Sequence, residues 1–240
     1  MVCFFHNPFN FVKAKKYDNR NDVVKDDLEN DIVKNGSIFE VDCWKLSELL
    51  LERVIPNIGA HPYPLNEQML MAAAVAFVQP CLIVEWGTHH GKSARLFWEV
   101  KEALGLRDCR VCTVDSMDAN HPEFPGAARG RYLAKTKVEQ FVGDGFETAG
   151  RLLEGISSPI LLYIDGDHSR QSTRRDLSLW ARLPSGSGLL AHDVLFQTPS
   201  AYNIGPWQSL QELLETQRAT VSHVQWQLLG LPGMAFVSKK

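Results

Sequence analysis

The sequence lacks several features that mark large classes of protein. It has no run of about 18 apolar residues that would span a membrane, and its first apolar stretch, residues 2–5, is too short for a signal peptide. It also has no basic surplus, because 25 lysine and arginine side chains stand against 28 aspartate and glutamate side chains. Proteins that bind duplex nucleic acid usually carry such a surplus. We therefore expect a cytoplasmic protein that binds small molecules, with no nucleic acid or membrane partner.

Cysteine is scarce as well, and its number is odd. Five cysteines are scattered through the chain, which argues against a disulfide framework. Cys109 and Cys112 have the CxxC spacing, but residues 110–114 have a strand-like sequence in which positions three apart face opposite sides. No second ligand pair follows. We favour buried thiols over a zinc or redox site.

The first 60 residues differ in composition from the rest and are predicted to form an extension, partly helical, before a main domain over 61–240. A short helix is expected within Asp22–Lys34. A second, over 43–53, would be capped by Asp42 and would end before Pro56. Packing of this second helix onto the main domain is favoured over a substrate lid or a dimer contact, although a homo-oligomer remains compatible with the sequence.

From residue 66 onward, helical segments alternate with short, strongly apolar or β-rich segments. This alternation is typical of a mostly parallel sheet wound with crossover helices, an α/β fold. The last two strand-like segments are separated by too few residues for a crossover, so they predict an antiparallel hairpin. The predicted strands are residues 81–85, 110–115, 138–142, 159–165, 188–192, 220–229 and 233–238.

Acidic residues stand where nearly every predicted parallel strand ends. They are Glu85, Asp115, Asp144, Asp165 and Asp193. One or two such carboxylates would be explained as helix caps, but five are too many for capping alone. Because ligands bind at the carboxyl ends of the strands in open parallel sheets, we interpret these residues as one rim of a functional site.

The first strand is followed by a glycine-containing turn, residues 85–93. Gly87 and Gly91 allow the backbone to approach a ligand, and the helix that begins near Lys92 offers free N–H groups. The turn has neither the GxxxxGK[ST] spacing nor the GxGxxG pattern, since His89 replaces the second glycine. It does not predict a pyrophosphate site.

The ends of two later predicted strands carry residues that suit the ribose and the adenine of an adenosine group. Asp115 can accept hydrogen bonds from both ribose hydroxyls, and the Gly143-Asp144-Gly145 segment lies where it can contact an adenine edge. The combination describes a site for an adenosine-containing ligand without a pyrophosphate.

In this order the motifs resemble those of class I S-adenosylmethionine-dependent methyltransferases. The resemblance covers about residues 66–240 and is closer to the divalent-metal-dependent O-methyltransferases, which include catechol-type, natural-product and macrolide-sugar enzymes. It implies a Rossmann-like, doubly wound, mostly parallel seven-stranded sheet with an antiparallel C-terminal hairpin strand. The motifs are Glu85-x-Gly-x-x-x-Gly91-x-Ser93, Asp115, Gly143-Asp144, the Tyr163–His168 segment and Leu190-Ala-His-Asp193.

The resemblance implies a role for each motif residue. The amino acid end of S-adenosylmethionine would lie among Gly87, Thr88, His89, Gly91 and Ser93, above Glu85; the remaining cofactor residues would be Asp115, Ser116, Gly143, Asp144 and Asp165. Asp165, His192 and Asp193 would bind Mg²⁺ or a similar divalent ion. His192 departs from the family, which usually has a carboxylate at that position.

His168 is the predicted general base, because an imidazole titrates near neutral pH. Two alternatives are that it only begins the following helix, over 170–183, or that it is a further metal ligand. Asp167 would be either a further metal ligand or the cap of that helix, and the cap is favoured. The segments 117–132 and 196–207 follow two strands and would either shape the substrate pocket or serve only as loop packing.

These observations predict an enzyme that transfers a methyl group from S-adenosylmethionine to a hydroxyl group of a small metabolite, a sugar or a natural product. The alternatives are a metal-independent O- or N-methyltransferase of the same fold and a non-catalytic module that retains the cofactor pocket. A nucleic-acid methyltransferase is disfavoured by the charge balance and by the absence of an Asn/Asp-Pro-Pro-Tyr/Phe motif after the fourth strand.

Overall fold

The computed structural model of the chain describes residues 17–18, 37–38, 42–116, 129–195, 203–229 and 232–240. The helix predicted within Asp22–Lys34 lies outside these residues. So do residues 117–128 and 196–202, which make up most of the two segments expected near the substrate pocket.

A seven-stranded sheet forms the centre of the fold, in the order β5-β4-β3-β6-β7-β9-β8. All neighbours from β5 to β7 are parallel, as predicted. A separate pair, β1 (Tyr17–Asp18) and β2 (Ser37–Ile38), is antiparallel. The strands of the main sheet are β3 (Leu82–Trp86), β4 (Arg110–Asp115), β5 (Glu139–Val142), β6 (Ile160–Ile164), β7 (Gly188–His192), β8 (Val221–Gln227) and β9 (Met234–Lys239).

The predicted C-terminal hairpin is confirmed, and its antiparallel strand lies inside the sheet. β9 lies between β7 and β8 and is antiparallel to both, and β8 forms the edge of the sheet. The burial of the two strands explains this order. The side chains of residues 234–238 are buried, whereas most of those of β8 are only partly buried, so β9 takes the position that is covered by a strand on each side.

Helices cover both faces of the sheet. α1 to α4 pack on one face and α5 to α7 on the other, and consecutive residues of β3 alternate between the two cores. The helices are α1 (Cys43–Leu49), α2 (Ile55–Ile58), α3 (Leu65–Val78), α4 (Lys92–Ala103), α5 (Gly145–Leu152), α6 (Arg170–Leu177) and α7 (Ile204–Thr216). A π-helical segment over Leu50–Val54 joins α1 to α2, and 3₁₀ turns occupy Arg131–Leu133 and Ser178–Arg182.

Helix α1 begins where the sequence predicts, because Asp42 accepts a hydrogen bond from the Lys45 N–H at 3.1 Å. The helical stretch does not end before Pro56, which was the prediction. Pro56 lies in the first turn of α2, directly after the π-helical segment Leu50–Val54, and the chain stays helical across it. Leu49 and Val54 are buried in the same core as α3 and α4, so residues 43–58 pack onto the main domain.

The CxxC pair behaves as buried thiols. Cys109 lies in the core on one face of the sheet and Cys112 in the core on the other, and both are free. Burial raises the pKa of each thiol to about 12. No helix in the described part of the chain is both long and apolar enough to cross a membrane.

Candidate active site

The carboxyl ends of five parallel strands, β3 to β7, lie at one edge of the sheet. Trp86 of β3 is paired with Val114 of β4 and with Ile164 of β6, so the residues that follow these strands start level with one another. The strand order reverses at β3, because β4 and β5 lie on one side of it and β6 and β7 on the other. A crevice at such a reversal point is the usual ligand site of an open α/β sheet.

Gly87 places the turn after β3 directly against the end of β6. Its φ is +88°, a conformation that favours glycine, and a Cβ atom there would overlap the backbone carbonyl of Asp165. Gly91, with φ of +82°, precedes the first residue of α4 and packs against Leu133. The Thr88 hydroxyl is buried and lies 2.8 Å from that of Thr113 on β4. The predicted glycine turn is therefore built as a backbone cradle at the sheet edge.

Asp115 faces the glycine turn. One of its carboxylate oxygens, Oδ2, accepts the His89 N–H at 3.0 Å and lies 3.4 Å from Nε of Arg129. Arg129 also donates to the Ser116 carbonyl at 2.9 Å. The arginine thus holds the end of β4, and Asp115 and Ser116 lie at the edge where the sequence analysis expected them.

Glu85 is fully buried beneath the turn. Neither of its carboxylate oxygens has a hydrogen-bond partner at ordinary geometry among the described residues. Burial raises its pKa to about 8, and the nearby Ser93 and Thr113 hydroxyls only partly oppose that shift. A buried carboxyl without partners is costly, so Glu85 marks a place where a cationic group of a ligand would be stabilised.

Asp144 has two partners of its own. It caps α5 by accepting the Glu147 N–H at 2.8 Å, and it forms an ion pair with Arg175 at 2.8 Å. Gly143 donates its N–H to the Asp115 carbonyl at 2.8 Å and so joins the end of β5 to β4. Because the Asp144 carboxylate is engaged elsewhere, an adenine ring would meet this segment through its backbone.

The second half of the edge is a cluster of charged side chains. Asp165, His192 and Asp193 bring one potential ligand atom each within 4.8 Å of the others. The His192 Nδ1 atom lies 3.1 Å from Oδ1 of Asp165 and 3.2 Å from Oδ2 of Asp193. His168 joins the cluster, with its Nε2 atom 3.0 Å from Oδ2 of Asp193. These four predicted site residues are thus brought together by β6 and β7.

Glu67 and Tyr63 complete the cluster, and sequence reasoning missed both. Glu67, in the first turn of α3, lies with Oε2 3.0 Å from Nε2 of His192 and accepts the Gly233 N–H at 2.9 Å through Oε1. Tyr63 and Tyr163 donate their hydroxyls to Oδ2 of Asp165 at 2.8 and 3.2 Å. The one available signal was a single charged residue in a helix rich in alanine, methionine and other apolar residues. Tyr63 gave none.

The cluster shifts the pKa values of its members in opposite directions. Burial would lower the pKa of His192, but Asp165, Asp193 and Glu67 raise it well above its usual range. Burial would raise the pKa of Asp193, but hydrogen bonds from His168 and His192 hold it well below its usual range. The hydrogen bond to Asp193 raises the pKa of His168. Strongly shifted groups that share a cleft are typical of functional sites.

Asp167 does not cap α6, which corrects the prediction. Ser169 is the cap and accepts the Ser172 N–H at 3.2 Å, while Asp167 accepts the N–H and the hydroxyl of Ser169 at 2.9 and 2.8 Å. Serine is preferred here because its short side chain reaches the helix end from an extended backbone. Asp167 instead shapes the turn that presents His168.

The donor atoms of the cluster fit a divalent cation. Two carboxylate oxygens and one imidazole nitrogen converge, and a further carboxylate, Glu67, lies behind the imidazole. This is the usual arrangement for a histidine ligand, whose second nitrogen donates to a carboxylate. The glycine turn fits an adenosine-containing ligand on separate grounds, namely the backbone cradle at Gly87 and the orphaned Glu85 carboxyl.

The fold, the glycine turn and the acidic strand ends define the class I methyltransferase fold. Residues 84–194 match a family model described as "Methyltransferase domain". The match runs from the middle of β3 to the residue after Asp193 and so includes every motif of the edge. Over these residues the chain is similar to methyltransferase domains. No curated protein sequence matches the chain significantly.

Several solved structures with a similar fold are named as O-methyltransferases. A Bacillus cereus O-methyltransferase in complex with S-adenosylhomocysteine is 20% identical, with 81% of this chain and 90% of that chain covered and a TM-score of 0.54. TomG from Streptomyces achromogenes, involved in tomaymycin synthesis and solved with S-adenosylmethionine, is 17% identical over 82% and 89%, with a TM-score of 0.55. CalS11, a TDP-rhamnose 3'-O-methyltransferase of calicheamicin biosynthesis, is 19% identical over 82% and 92%, with a TM-score of 0.51.

Proposed function

We propose that this protein transfers the methyl group of S-adenosylmethionine to a hydroxyl group of a small metabolite. The single observation that carries the proposal is the contact between Gly87 and the backbone of Asp165. It puts the backbone cradle suited to the methyl donor beside a cluster able to bind and deprotonate an acceptor. Neither half alone would favour a methyltransferase over another ligand-binding protein.

For the cofactor, the glycine turn would receive the amino acid end and Asp115 the ribose. The buried Glu85 carboxyl would lie near the ammonium group, whose positive charge would offset the cost of ionising it. Thr88, His89, Gly91 and Ser93 form the wall of this cradle, and Ser116, Gly143 and Asp144 lie towards the adenine end. This assignment follows the order of the strand ends along the sheet edge.

For the reaction, the acceptor oxygen attacks the methyl carbon as the carbon–sulfur bond breaks, and the electron pair of that bond remains on sulfur. The hydroxyl proton passes to the imidazole of His168, which Asp193 orients through the 3.0 Å contact to Nε2. Proton removal and alignment of the oxygen with the methyl group are the two contributions required of the protein.

Asp165, His192 and Asp193 would hold a divalent ion. When bound, such an ion lowers the pKa of the substrate hydroxyl. One observation favours a second candidate, metal-independent transfer on the same fold: both ring nitrogens of His192 already have carboxylate partners, Glu67 and Asp165. In that case the positive charge of the protonated His192 ring would replace the charge of the ion. A non-catalytic binding module is the weakest alternative, because charged groups able to act on an acceptor, His168 and the Asp165–His192–Asp193 cluster, lie together beside the cradle.

The substrate class is proposed from the fold neighbours and the cluster together. CalS11 is named for methylation of a sugar hydroxyl and TomG for a natural-product pathway. A hydroxyl acceptor also suits a site that carries a histidine base next to carboxylates.

The decisive experiment measures binding and transfer separately. S-adenosylhomocysteine should raise the unfolding temperature of the protein, since it binds only the folded state. Radiolabelled methyl transfer from S-adenosylmethionine should then be screened against sugars, phenols and glycosylated natural products, with and without a chelator. Binding of S-adenosylhomocysteine without transfer to any hydroxyl compound would favour a binding module, and no binding at all would contradict the proposal.

A further inference from the structure

We propose that His192, held in place by Glu67, makes the Asp165–His192–Asp193 cluster selective for a first-row transition ion such as Mn²⁺, Fe²⁺ or Zn²⁺ over Mg²⁺. The inference rests on the proposed methyltransferase function for its biological meaning. It concerns the ligand chemistry of this chain alone, and it assigns Glu67 a role as a positioning residue.

The ring of His192 is fixed from behind. Its Nε2 atom lies 3.0 Å from Oε2 of Glu67, whose other oxygen accepts the Gly233 N–H at 2.9 Å. His192 is 6% exposed and Glu67 is 1% exposed, so water does not compete for these bonds. A carboxylate oxygen accepts hydrogen bonds, so the contact with Glu67 favours the tautomer of His192 that has its hydrogen on Nε2. The Nδ1 atom is thereby turned towards the two aspartates.

Asp165 is fixed in the same way. Tyr63 and Tyr163 donate their hydroxyls to its Oδ2 atom at 2.8 and 3.2 Å. This occupies one carboxylate oxygen and leaves Oδ1 facing Nδ1 of His192 at 3.1 Å. Preorganised ligands of this kind lower the cost of binding an ion.

The spacing of the donor atoms suits an ion bound between them. Nδ1 of His192 lies 3.1 Å from Oδ1 of Asp165 and 3.2 Å from Oδ2 of Asp193. Neighbouring ligands of an octahedral ion with bonds of about 2.1 Å lie about 3 Å apart. The ligand atoms of the two aspartates lie within 4.8 Å of each other, compared with about 4.2 Å for opposite ligands of such an ion, so the aspartates would adjust to form all three bonds.

The chemistry of the donors decides which ion is preferred. Mg²⁺ takes oxygen ligands and retains several waters, whereas an imidazole nitrogen suits zinc, iron and other transition ions. A carboxylate hydrogen-bonded to the far nitrogen, as Glu67 is here, makes the imidazole a better ligand. A carboxylate at position 192 would favour Mg²⁺, so this one residue shifts the preference.

The test uses Mn²⁺ and Mg²⁺ on the full chain, without substrate. Because most sites bind Mn²⁺ more tightly than Mg²⁺, the informative quantity is the ratio of the two dissociation constants in the wild type compared with His192→Asp. We expect the wild-type preference for Mn²⁺ to exceed that of the variant by at least roughly tenfold. Pulsed electron paramagnetic resonance of bound Mn²⁺ should show a ¹⁴N coupling that disappears in His192→Asp.

Two further variants make the assignment specific. Glu67→Gln should weaken Mn²⁺ binding by roughly 10- to 100-fold. A loss of this size is typical when the carboxylate hydrogen-bonded to a histidine ligand is removed. His168→Gln should retain the ¹⁴N coupling, because the nitrogen is assigned to His192. Circular dichroism and S-adenosylhomocysteine binding establish that each variant is folded, and Glu67→Gln serves as the test if His192→Asp does not fold.

Three results would overturn the inference. They are an unchanged preference in His192→Asp, a ¹⁴N coupling that survives it, and a wild type that binds S-adenosylhomocysteine but neither ion. The last would mean that a proton on His192 takes the place of the metal, with the methyltransferase assignment intact. A wild-type protein that does not bind S-adenosylhomocysteine would instead count against the proposed function.

Discussion

The two halves of the sheet edge are built by different means. The half at β3 and β4 uses main-chain conformation, since Gly87 and Gly91 have positive φ values and the buried Thr88 hydroxyl binds Thr113. The half at β6 and β7 uses side-chain charge, since Asp165, His192 and Asp193 are held by one another and by Glu67. The glycine turn of the first half is one continuous segment, whereas the second half draws residues from distant parts of the chain.

The first half of the edge therefore depends on backbone conformation, and the second half depends on side-chain charge. A turn made by backbone conformation depends on which residues can adopt it, so a methyl group in the wrong place should damage it. A cluster made by charges should tolerate small changes of shape but not the loss of a charge. Substitutions in each half should therefore fail in different assays.

The largest effect is expected from Gly87→Ala. The alanine would have to adopt a positive φ, and its methyl group would overlap the Asp165 carbonyl. Together these two effects should cost on the order of 3 kcal/mol of folding free energy. The cofactor cradle should be lost with it. Gly155→Ala is the matched control, because it has φ of +74° and no atom within 4 Å of the new methyl group. Equal destabilisation of both variants in urea unfolding would contradict this account.

Asp193→Asn should reduce methyl transfer by about 10²-fold or more, because it removes the charge that orients His168 and contributes to the ion site. Asparagine tolerates the positive φ of 55° at this position, so folding should be retained. Binding of S-adenosylhomocysteine should change little. A loss smaller than threefold would show that the charged half is not required for the reaction.

Glu85→Gln should change the pH dependence of stability. The pKa of Glu85 is raised from 4.5 to about 8 in the folded protein, so the folded state holds this proton more tightly than the unfolded state. Stability should therefore fall as the pH rises from about 4.5 to 8 and level off above pH 8. Urea unfolding from pH 5 to 9 should give a flatter profile for Glu85→Gln, and parallel profiles would refute the assignment.

The smallest effect is expected from Asp144→Ala, which removes the cap of α5. A cost of about 1 kcal/mol is typical for such a cap. Because the carboxylate is engaged with the helix end and Arg175, the affinity for S-adenosylhomocysteine should change by less than about threefold. A tenfold loss of affinity with unchanged stability would mean that this side chain, and not the backbone, contacts the adenine.

The main-chain half could be predicted from the sequence almost completely. Strand β3, the glycine turn and the start of α4 are contiguous, so local patterns fix them. The predicted fold and the hairpin are confirmed for the same reason. The errors at Pro56 and Asp167 concern helix ends, where several neighbouring residues compete to satisfy the same free backbone groups.

The charged half could be predicted only in part. Asp165, His192 and Asp193 follow strands, and the topology of a parallel sheet brings strand ends together. Glu67 and Tyr63 precede the sheet in sequence, and nothing local relates them to residues 100 or more positions away. Their partners depend on how α3 packs across β7 and β9.

Local patterns are enough to predict a mostly parallel sheet with a glycine turn and acidic residues along one edge, because hydrophobic periodicity and turn-forming residues act over short distances. Which side chains complete the cluster at that edge depends on how distant elements pack. The reason is physical: a buried charge requires a partner, and packing of distant elements determines which partner it meets.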